Sequence, residues 1–485
     1  MPKVMFGKYR PDVASIDTQG TSFVQNVLPV PYGYGPVRDL LKFADPLPGR
    51  CLGAIGVLDQ DNTSHVFAGT ETKLYKLNGT TRAWDDVTRL SGNYTVGDRR
   101  YWDFDIFGQN VVAVTDANDP QAFTLGTSTE FNDLPDAPQA NRVSVVGDFL
   151  VLSGLTANPN RIHWSGLNDI THWTPGTASC DYQDFPDGGQ TVDVASGEFG
   201  LVFQDTAIRR MVFNPVSDAI FDFSRISEER GLFMPYSLVR VHSVAFFYSS
   251  DGFYKIDASG AITPIGENAV DATIGENADL TNPRNMIGLA DPKSQRIWWF
   301  YKSVGNNNAG YLDQSVVFDW IRGEWSPVTI NVEFVTATSP LSATLESLDA
   351  LGTVDSIDIS FDLFQATPEH KMTGFATDHA PGYFEGDTLE AILDLPEAAI
   401  GNQVRMGARS ASPLSDSPTV YIKVGHREAL NAAIAWSAES GISARGYAPL
   451  RTSGRFLTGR VRIPAGTNWT WIRGMDVDAI SMGTR

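Results

Sequence analysis

Two small groups of side chains in this sequence have the types and spacing of metal ligands. His163 and His172 flank a turn, and two imidazoles across a hairpin could bind a cation. No third histidine or cysteine ligand lies beside them, so two polar residues on exposed hairpin faces are the favoured interpretation. Asp59, Asp61 and Thr63 could ligate calcium, but the downstream glutamate of an EF-hand loop is missing. They are better explained as a β-turn.

A thiol and a pair of indoles are the next candidates for chemistry. Cys180 lies in Ser179–Tyr182 without a compelling histidine or asparagine context, so a buried or inert thiol is expected. Trp298 and Trp299 could form a stacking platform, although packing of a strand in the core is favoured.

A glycosidase is disfavoured by the spacing of its candidate motif. Ser165, Asp169, Thr171 and Trp173 resemble the Asp-box turn of sialidase propellers, Ser-x-Asp-x-Gly-x-Thr-Trp, but the spacing differs and the glycine is misplaced. An Asp box is itself a structural turn. A sialidase also needs an arginine cluster for the substrate carboxylate and a nucleophilic tyrosine, whereas the arginines here are mostly scattered. We expect a turn at this position.

Basic residues are locally enriched near the C-terminus, at Arg451, Arg455, Arg460, Arg462 and Arg473. The favoured interpretation is that they are strand residues facing solvent. The alternative is a docking surface for an acidic partner or for another copy of this acidic chain.

The established catalytic motifs are missing from the sequence. It contains no GxxxxGK[ST] phosphate loop, no GxSxG elbow and no HExxH helix. Two cysteines, Cys51 and Cys180, exclude a disulfide framework and a four-cysteine zinc site. We therefore expect no catalytic residue, no cofactor-binding residue and no metal ligand, and a protein that is not an enzyme.

The net charge and the amino-acid composition indicate the class of protein. The 485 residues include 37 Lys and Arg against 57 Asp and Glu, a net charge of −20, which disfavours a basic surface for nucleic acid. It does not exclude a surface that nucleic acid passes without adhering. With 44 Gly, 27 Pro and 11% aromatic residues, the chain has the composition of a turn-rich β protein. No apolar run approaches the ~18 residues of a membrane span.

A degenerate repeat of about 40–50 residues runs through residues 51–334. Each unit contains an apolar strand, an alternating strand and a third strand that usually carries an aromatic residue. This pattern predicts an all-β, propeller-like domain of about six blades. The alternative is a pair of β-sandwiches with evenly spaced hairpins. The six units begin at the following strands: Ala54–Leu58, Phe104–Phe107, Val143–Val146, Gly200–Phe203, Val244–Tyr248 and Ile297–Phe300.

Three further segments surround the repeat. Residues 1–50 include six prolines from Pro11 to Pro48 and predict an irregular arm that covers a folded body. Residues 335–400 break the repeat and predict inserted strands or a channel or inter-subunit segment, with an edge strand or projecting arm at Val354–Phe361. Residues 401–485 predict a β-sandwich-like domain with strands at Thr419–Val424, Arg455–Pro464 and Trp469–Val477. One short helix is expected at Glu428–Ser440.

Four stretches together resemble the tail hub or nozzle proteins of short-tailed double-stranded DNA phages, including the packaged-DNA stabilisation proteins. Each stretch alone describes only β-turn patterns, but their order, the chain length and the terminal β domain match. The stretches are Gly49–Leu77 with Trp84, Asn141–Trp173, Gly231–Tyr254 and Arg462–Trp469.

The resemblance implies a structural virion protein of the phage tail, assembled in the bacterial host cytoplasm. Such proteins form a homohexameric ring below the portal and adaptor, carry a propeller-like domain, and contribute strands to a central channel. They retain packaged DNA, conduct it during ejection and anchor tail fibres or tailspikes. The resemblance therefore implies that the partners are other copies of this chain, portal and adaptor proteins, a fibre or spike, and DNA passing without specific binding. The alternatives from other classes are a propeller glycan-active enzyme and a carbohydrate- or fibre-docking module.

Overall fold

The computed structural model describes residues 3–13, 20–217, 219–308, 310–340, 369–398 and 404–483. Antiparallel β-sheets dominate these residues, which confirms the all-β prediction. The described residues contain one α-helix, α1 (Asp271–Asn277), and two single 3-10 turns, at Pro235–Ser237 and Pro283–Asn285. No helix among them is long and apolar enough to cross a membrane.

The N-terminal arm is more ordered than its prolines suggest, because it supplies short strands to sheets formed far along the chain. Pro29 is tolerated since β3 is at the edge of its sheet and needs no amide donor on its outer side, and Pro36 is the last residue of β4. The five strands are β1 (Lys3–Met5), β2 (Val24–Gln25), β3 (Val27–Val30), β4 (Gly33–Pro36) and β5 (Leu41–Lys42).

Six four-stranded sheets follow in strict chain order within residues 51–334, as the repeat predicts. We number them sheets 1 to 6. Sheets 1 to 3 contain the strands β6 (Ala54–Leu58), β7 (Ser64–Gly69), β8 (Leu74–Leu77), β9 (Trp84–Asp86); β10 (Asp103–Phe107), β11 (Asn110–Thr115), β12 (Asn118–Thr124), β13 (Asn132–Asp133); β14 (Ala140–Val146), β15 (Phe149–Leu155), β16 (Arg161–Trp164) and β17 (Asp181–Asp184). Sheets 4 to 6 contain β18 (Thr191–Ala195), β19 (Gly200–Gln204), β20 (Ile208–Phe213), β21 (Phe221–Ser227); β22 (Val239–Val241), β23 (Val244–Ser249), β24 (Gly252–Ile256), β25 (Ile262–Pro264); β26 (Met286–Ala290), β27 (Arg296–Tyr301), β28 (Leu312–Asp319) and β29 (Glu324–Val332).

The repeat unit has four strands, and the expected starting points identify its first strand only in sheets 1 to 3. In sheets 4 to 6 they fall on the second strands, β19, β23 and β27. The first strands there are β18, β22 and β26. They lack a continuous buried apolar run, because polar or half-exposed residues interrupt them. The second strand is buried on both faces and gives the stronger signal.

A seventh sheet closes the ring, one more than the sequence predicts. It consists of β30 (Phe334–Thr338), β31 (Lys371–Phe375), β32 (Pro381–Tyr383) and the N-terminal β5. First strands of neighbouring sheets pack together around the ring, including β30 against β6, and sheets 4 and 5 share one apolar cluster. A Cβ at Gly56 in β6 would lie 2.6 Å from Thr338 Cα. Sheet 7 thus combines three strands that follow sheet 6 with one strand that precedes sheet 1, and this joins the two ends of the ring.

Parts of the predicted excursion at residues 335–400 therefore belong to the propeller, since β31 and β32 complete sheet 7. The strand expected at Val354–Phe361 lies outside the described residues.

The C-terminal segment forms a two-sheet sandwich with the N-terminal strands, as its alternating pattern predicts. One sheet has the order β3-β4-β40-β34-β38 with β1 on β40; the other has β2-β33-β39-β35-β36 with β37 on β35. The strands are β33 (Ala391–Asp394), β34 (Met406–Ser415), β35 (Tyr421–Arg427), β36 (Ala435–Trp436), β37 (Ser440–Gly441), β38 (Ala448–Gly454), β39 (Phe456–Ile463) and β40 (Ile472–Ser481).

The helix predicted at Glu428–Ser440 is wrong. This segment is a turn followed by β36 and β37, which both pair with β35. Trp436 of β36 lies opposite Gly425, and Ser440 of β37 lies opposite Ile422. Alanine-rich composition favours a helix only weakly, and hydrogen bonding to a sheet edge overrides it here.

Propeller and sandwich share one core, because the segment between β2 and β3 is bonded to both. Asn26 Oδ1 accepts from Thr329 N at 2.7 Å in sheet 6, and its Nδ2 donates to Glu390 O at 2.9 Å beside the sandwich. One apolar cluster extends from Trp299 and Trp325 in sheet 6 through Val27 into the sandwich. This shared core makes the two bodies one packed unit.

Candidate functional site

The two candidate metal ligands have different partners. His163 Nε2 lies 3.6 Å from Cys180 Sγ, and His172 Nε2 lies 2.6 Å from Thr177 Oγ1. His163 is buried rather than exposed as expected. Across the described ranges, no group of three or more His, Cys, Asp and Glu is arranged to hold a metal ion.

Cys180 does have a histidine neighbour, which the sequence interpretation missed. The register of β16 and β17 places His163 opposite Tyr182, close to the thiol that precedes β17. Burial raises the pKa of Cys180 to about 11 and lowers the pKa of His163. The pair is therefore a neutral thiol and a neutral imidazole. A cysteine nucleophile would require the opposite shifts, namely a thiolate beside an imidazolium.

The other sequence candidates are structural. Asp59 Oδ1 accepts from Asp61 N at 2.9 Å and Thr63 N at 2.8 Å, so this carboxylate organises the expected β-turn. Asp169 does the same for the amide and hydroxyl of Thr171. Trp298 and Trp299 are buried in the core.

The C-terminal basic strip is partly neutralised within the chain, at Arg460 and Arg462. Arg460 makes a bidentate pair with Asp394 at 2.5 and 2.7 Å, across β39 and β33. Arg462 Nη1 lies 2.9 Å from Glu390 Oε2, and its Nη2 lies 2.7 Å from Glu439 Oε2. These paired arginines do not present free positive charge to an acidic partner.

Charged side chains from the first strands of sheets 2, 3 and 4 meet near the centre of the ring. Arg142 Nη1 lies 3.2 Å from Asp103 Oδ1, and Arg142 Nε lies 3.5 Å from Asp193 Oδ2. The guanidinium carbon of Arg142 is 3.7 Å from the ring centroid of Tyr236, an arrangement that favours a cation–π contact. Asp105 lies beside this group, and we call these five residues the axial cluster.

The carboxylates of the axial cluster also bond to the backbone of the neighbouring sheet. Asp103 Oδ2 accepts from Val143 N at 2.8 Å, and Asp105 Oδ2 accepts from Val145 N at 3.0 Å. Two amides of β14 are satisfied in this way by side chains of β10 instead of by a paired strand. The sequence signals this role only through the spacing of Asp103 and Asp105. Side chains two residues apart on a strand point to the same face, so both carboxylates can reach the neighbouring sheet.

Burial dominates the electrostatics of this cluster. It raises the pKa of Asp105 to about 6 and of Asp193 to about 7, and it raises the pKa of Asp103. Arg142 opposes the shift for Asp103 and Asp193. Two of the three desolvated carboxyl groups therefore share one cation, and this favours a proton on some of the three near neutral pH.

A cleft of about 480 Å³ lies between the segments that lead into the first strands of sheets 1, 2 and 6 and the loop between the second and third strands of sheet 6. We call it the Arg50 cleft. Arg284 is buried in its wall and donates to the carbonyls of Gly97, at 2.8 Å, and Arg100. Lys302 Nζ lies 3.3 Å from Asp279 Oδ2. The lining is Arg50, Asp98, Asp279, Thr281, Asn282, Arg284, Asn285, Lys302, Gly310, Tyr311 and Leu312.

A cysteine, a histidine and a glutamate lie next to this cleft but do not form a nucleophilic triad. Glu333 Oε2 accepts from the backbone amide of Cys51 at 3.1 Å, and Oε1 lies 2.8 Å from His379 Nδ1. The Cys51 thiol instead faces Gly53 O, and burial raises its pKa well above the ordinary value. The histidine therefore orients a buried carboxyl and does not activate the thiol.

No protein-family model matches the chain, and curated proteins yield no match. Solved structures similar to it include the extracellular domain of a one-component system from B. thetaiotaomicron, with 11% identity, a TM-score of 0.42, and coverage of 82% of this chain and 47% of that chain. The extracellular domain of a hybrid two-component system from the same organism has 12% identity and a TM-score of 0.36, covering 61% and 47%. PorZ, a surface component of the type-IX secretion system of Porphyromonas gingivalis, has 12% identity and a TM-score of 0.34, covering 62% and 40%. The chain spans about half the length of these structures or less, and likeness at this level says nothing about function.

Proposed function

We propose that this chain is a structural virion protein that forms a ring-shaped tail hub or nozzle in a short-tailed phage. Copies of the chain, six in the family it resembles, surround a passage below the portal and adaptor. They retain the packaged DNA and conduct it during ejection.

The observation that carries this proposal is the distribution of the stretches that resemble tail hubs. They lie in sheet 1 (residues 49–84), in sheet 3 (141–173), around sheet 5 (231–254) and in the sandwich (462–469). The resemblance therefore extends over both bodies and is not one repeated turn pattern. The core shared by propeller and sandwich also suits a building block that must hold its shape under load.

Charge supports the same proposal. Each chain contributes −20, and a ring of acidic copies would repel DNA phosphates, so that the polymer slides without adhering. Closed rings of identical subunits require heterologous contacts, in which two different surfaces of each copy meet.

Mass photometry and negative-stain electron microscopy of the full chain test the proposal, with and without co-expressed portal and adaptor proteins from the same genome. The expected result is an annular particle with a central hole and a mass of several copies. A particle that stays monomeric in both conditions would refute the proposal. Fluorescence anisotropy with duplex DNA is expected to show no binding even at low salt, and tight binding there would contradict the sliding-wall argument.

A further inference from the structure

Arg50 is a partly buried cation whose Nε has no partner. It precedes β6, where the chain enters sheet 1, and its Nε is shut off from solvent without a hydrogen bond. Its guanidinium offers the largest set of uncommitted donors in the cleft, because Arg284 already donates to two carbonyls and Lys302 is paired with Asp279. A guanidinium nitrogen that is shut off from water without a hydrogen bond is costly, so an acceptor oxygen of a bound anion is a natural complement.

The wall beside Arg50 is shaped around its guanidinium. Gly310 has a φ of +114°, and a Cβ there would lie 2.8 Å from Arg50 Nη1. A glycine therefore permits the backbone to approach the arginine this closely. The charge of Arg50 also acts on the nearby Glu333 carboxyl, where it opposes the rise in pKa caused by burial, but the Glu333 oxygens are hydrogen-bonded to Cys51 N and His379.

Positive and negative side chains of the cleft differ in their exposure to solvent. The cations Arg50 and Arg284 are at least partly buried, whereas Asp98 is exposed at the rim. The remaining polar lining includes the hydroxyl of Thr281 and the amide of Asn285. A ligand that fits this arrangement has one carboxylate for the floor and hydroxyl groups that donate to the rim carboxylate.

We propose that the Arg50 cleft binds a small carboxylate-bearing polyol, of which a hexuronic acid is the simplest kind. The forked guanidinium of Arg50 holds the carboxylate, and Asp98 accepts from a hydroxyl of the same molecule. Its volume is within the range of ligand sites in proteins, about 300–1,000 Å³. The inference does not depend on the proposed tail role, because it uses only residues of a single chain.

Isothermal titration of the full chain with sodium glucuronate tests this proposal, with glucose and inorganic phosphate as probes of the two halves of the ligand. We expect saturable binding of glucuronate and at least about tenfold weaker binding of glucose and of phosphate. Absence of saturable glucuronate binding would overturn the proposal. Equal binding of glucose would overturn the role of the carboxylate, and equal binding of phosphate would overturn the role of the hydroxyl groups.

Arg50→Met and Arg99→Met separate the site from bulk charge. Both remove one positive charge, but Arg99 is exposed and does not line the cleft. Arg50→Met should lose at least about tenfold in glucuronate affinity, and Arg99→Met should bind like wild type. Because Arg50 Nε has no hydrogen-bond partner within the chain, Arg50→Met should melt close to the wild-type temperature. A lower melting temperature or unchanged binding would identify Arg50 as a structural residue and refute the proposal.

Discussion

Replacing Arg142 with methionine should destabilise the propeller in a pH-dependent manner. Arg142 is 4% exposed and is the cation shared by Asp103 and Asp193. Methionine fills a similar volume and replaces the cation–π contact with Tyr236 by an apolar one. The change therefore removes the charge and leaves the surrounding packing largely in place.

The magnitude follows from the buried carboxylates that lose their partner. Removing one member of a buried ion pair costs about 3–5 kcal/mol when the other charge must stay ionised. A carboxyl with a raised pKa binds its proton more tightly in the folded state. It therefore stabilises the fold at low pH, and this contribution is lost as the pH rises from 3.8 to about 7 for Asp193.

Without Arg142 these pKa values rise further, so the variant holds more protons than wild type near neutral pH. The free-energy difference between wild type and Arg142→Met should then grow by about 1.4 kcal/mol per pH unit for each extra proton held by the variant. We expect a small loss at pH 5 and the full loss at pH 8.

Urea unfolding followed by tryptophan fluorescence at pH 5 and pH 8 measures this difference. Arg230→Met is the matched control, because Arg230 pairs with Asp251 at 2.5 Å on the surface, where such pairs contribute about 0–1 kcal/mol. If Arg142→Met were as stable as wild type at pH 8, or equally destabilised at both pH values, the electrostatic account of the axial cluster would be refuted.

Other predictions concern the thiols, the joint between the bodies and one tight contact. Cys51 and Cys180 are buried with raised pKa values, so native protein at pH 8 should resist alkylation at both thiols, and rapid labelling detected by mass spectrometry would contradict this. Asn26→Ala should lower the free energy of unfolding by about 2–3 kcal/mol in urea titrations, because it leaves a buried amide and carbonyl without their partner. A loss below about 0.5 kcal/mol would mean that this joint does not hold the bodies together. Gly69→Ala would place a Cβ 2.3 Å from an indole carbon of Trp102 and should lower the free energy of unfolding by about 1–3 kcal/mol in the same assay. Gly79→Ala is the control, because Gly79 has open space around it, and it should cost far less. Equal effects of the two changes would contradict the close approach of Trp102 to Gly69.

The repeat of apolar strands and turns predicts the all-β fold because each buried strand leaves a local signature. Strong signals such as Val244–Tyr248 identify the strands that are buried on both faces. The first strands of sheets 4 to 6 escape detection, since polar residues in β18 and β22 and half-exposed residues in β26 interrupt the buried apolar pattern. The seventh sheet escapes detection for a different reason, namely that Leu41–Lys42 and Pro381–Tyr383 are far apart in sequence and meet only when the ring closes.

By itself, the sequence determines the strand-rich fold, the acidic charge and the turns built on Asp59 and Asp169, because these depend on composition and on contacts within a few residues. Only the tertiary structure decides that Arg142 is shared by Asp103 and Asp193, that His163 lies beside Cys180, and that Arg50 faces a cleft. Arg142 and its two carboxylates come from three different sheets, and His163 and Cys180 lie in or next to paired strands of one sheet. Strand register and ring closure, rather than local spacing, therefore set the distances between these groups.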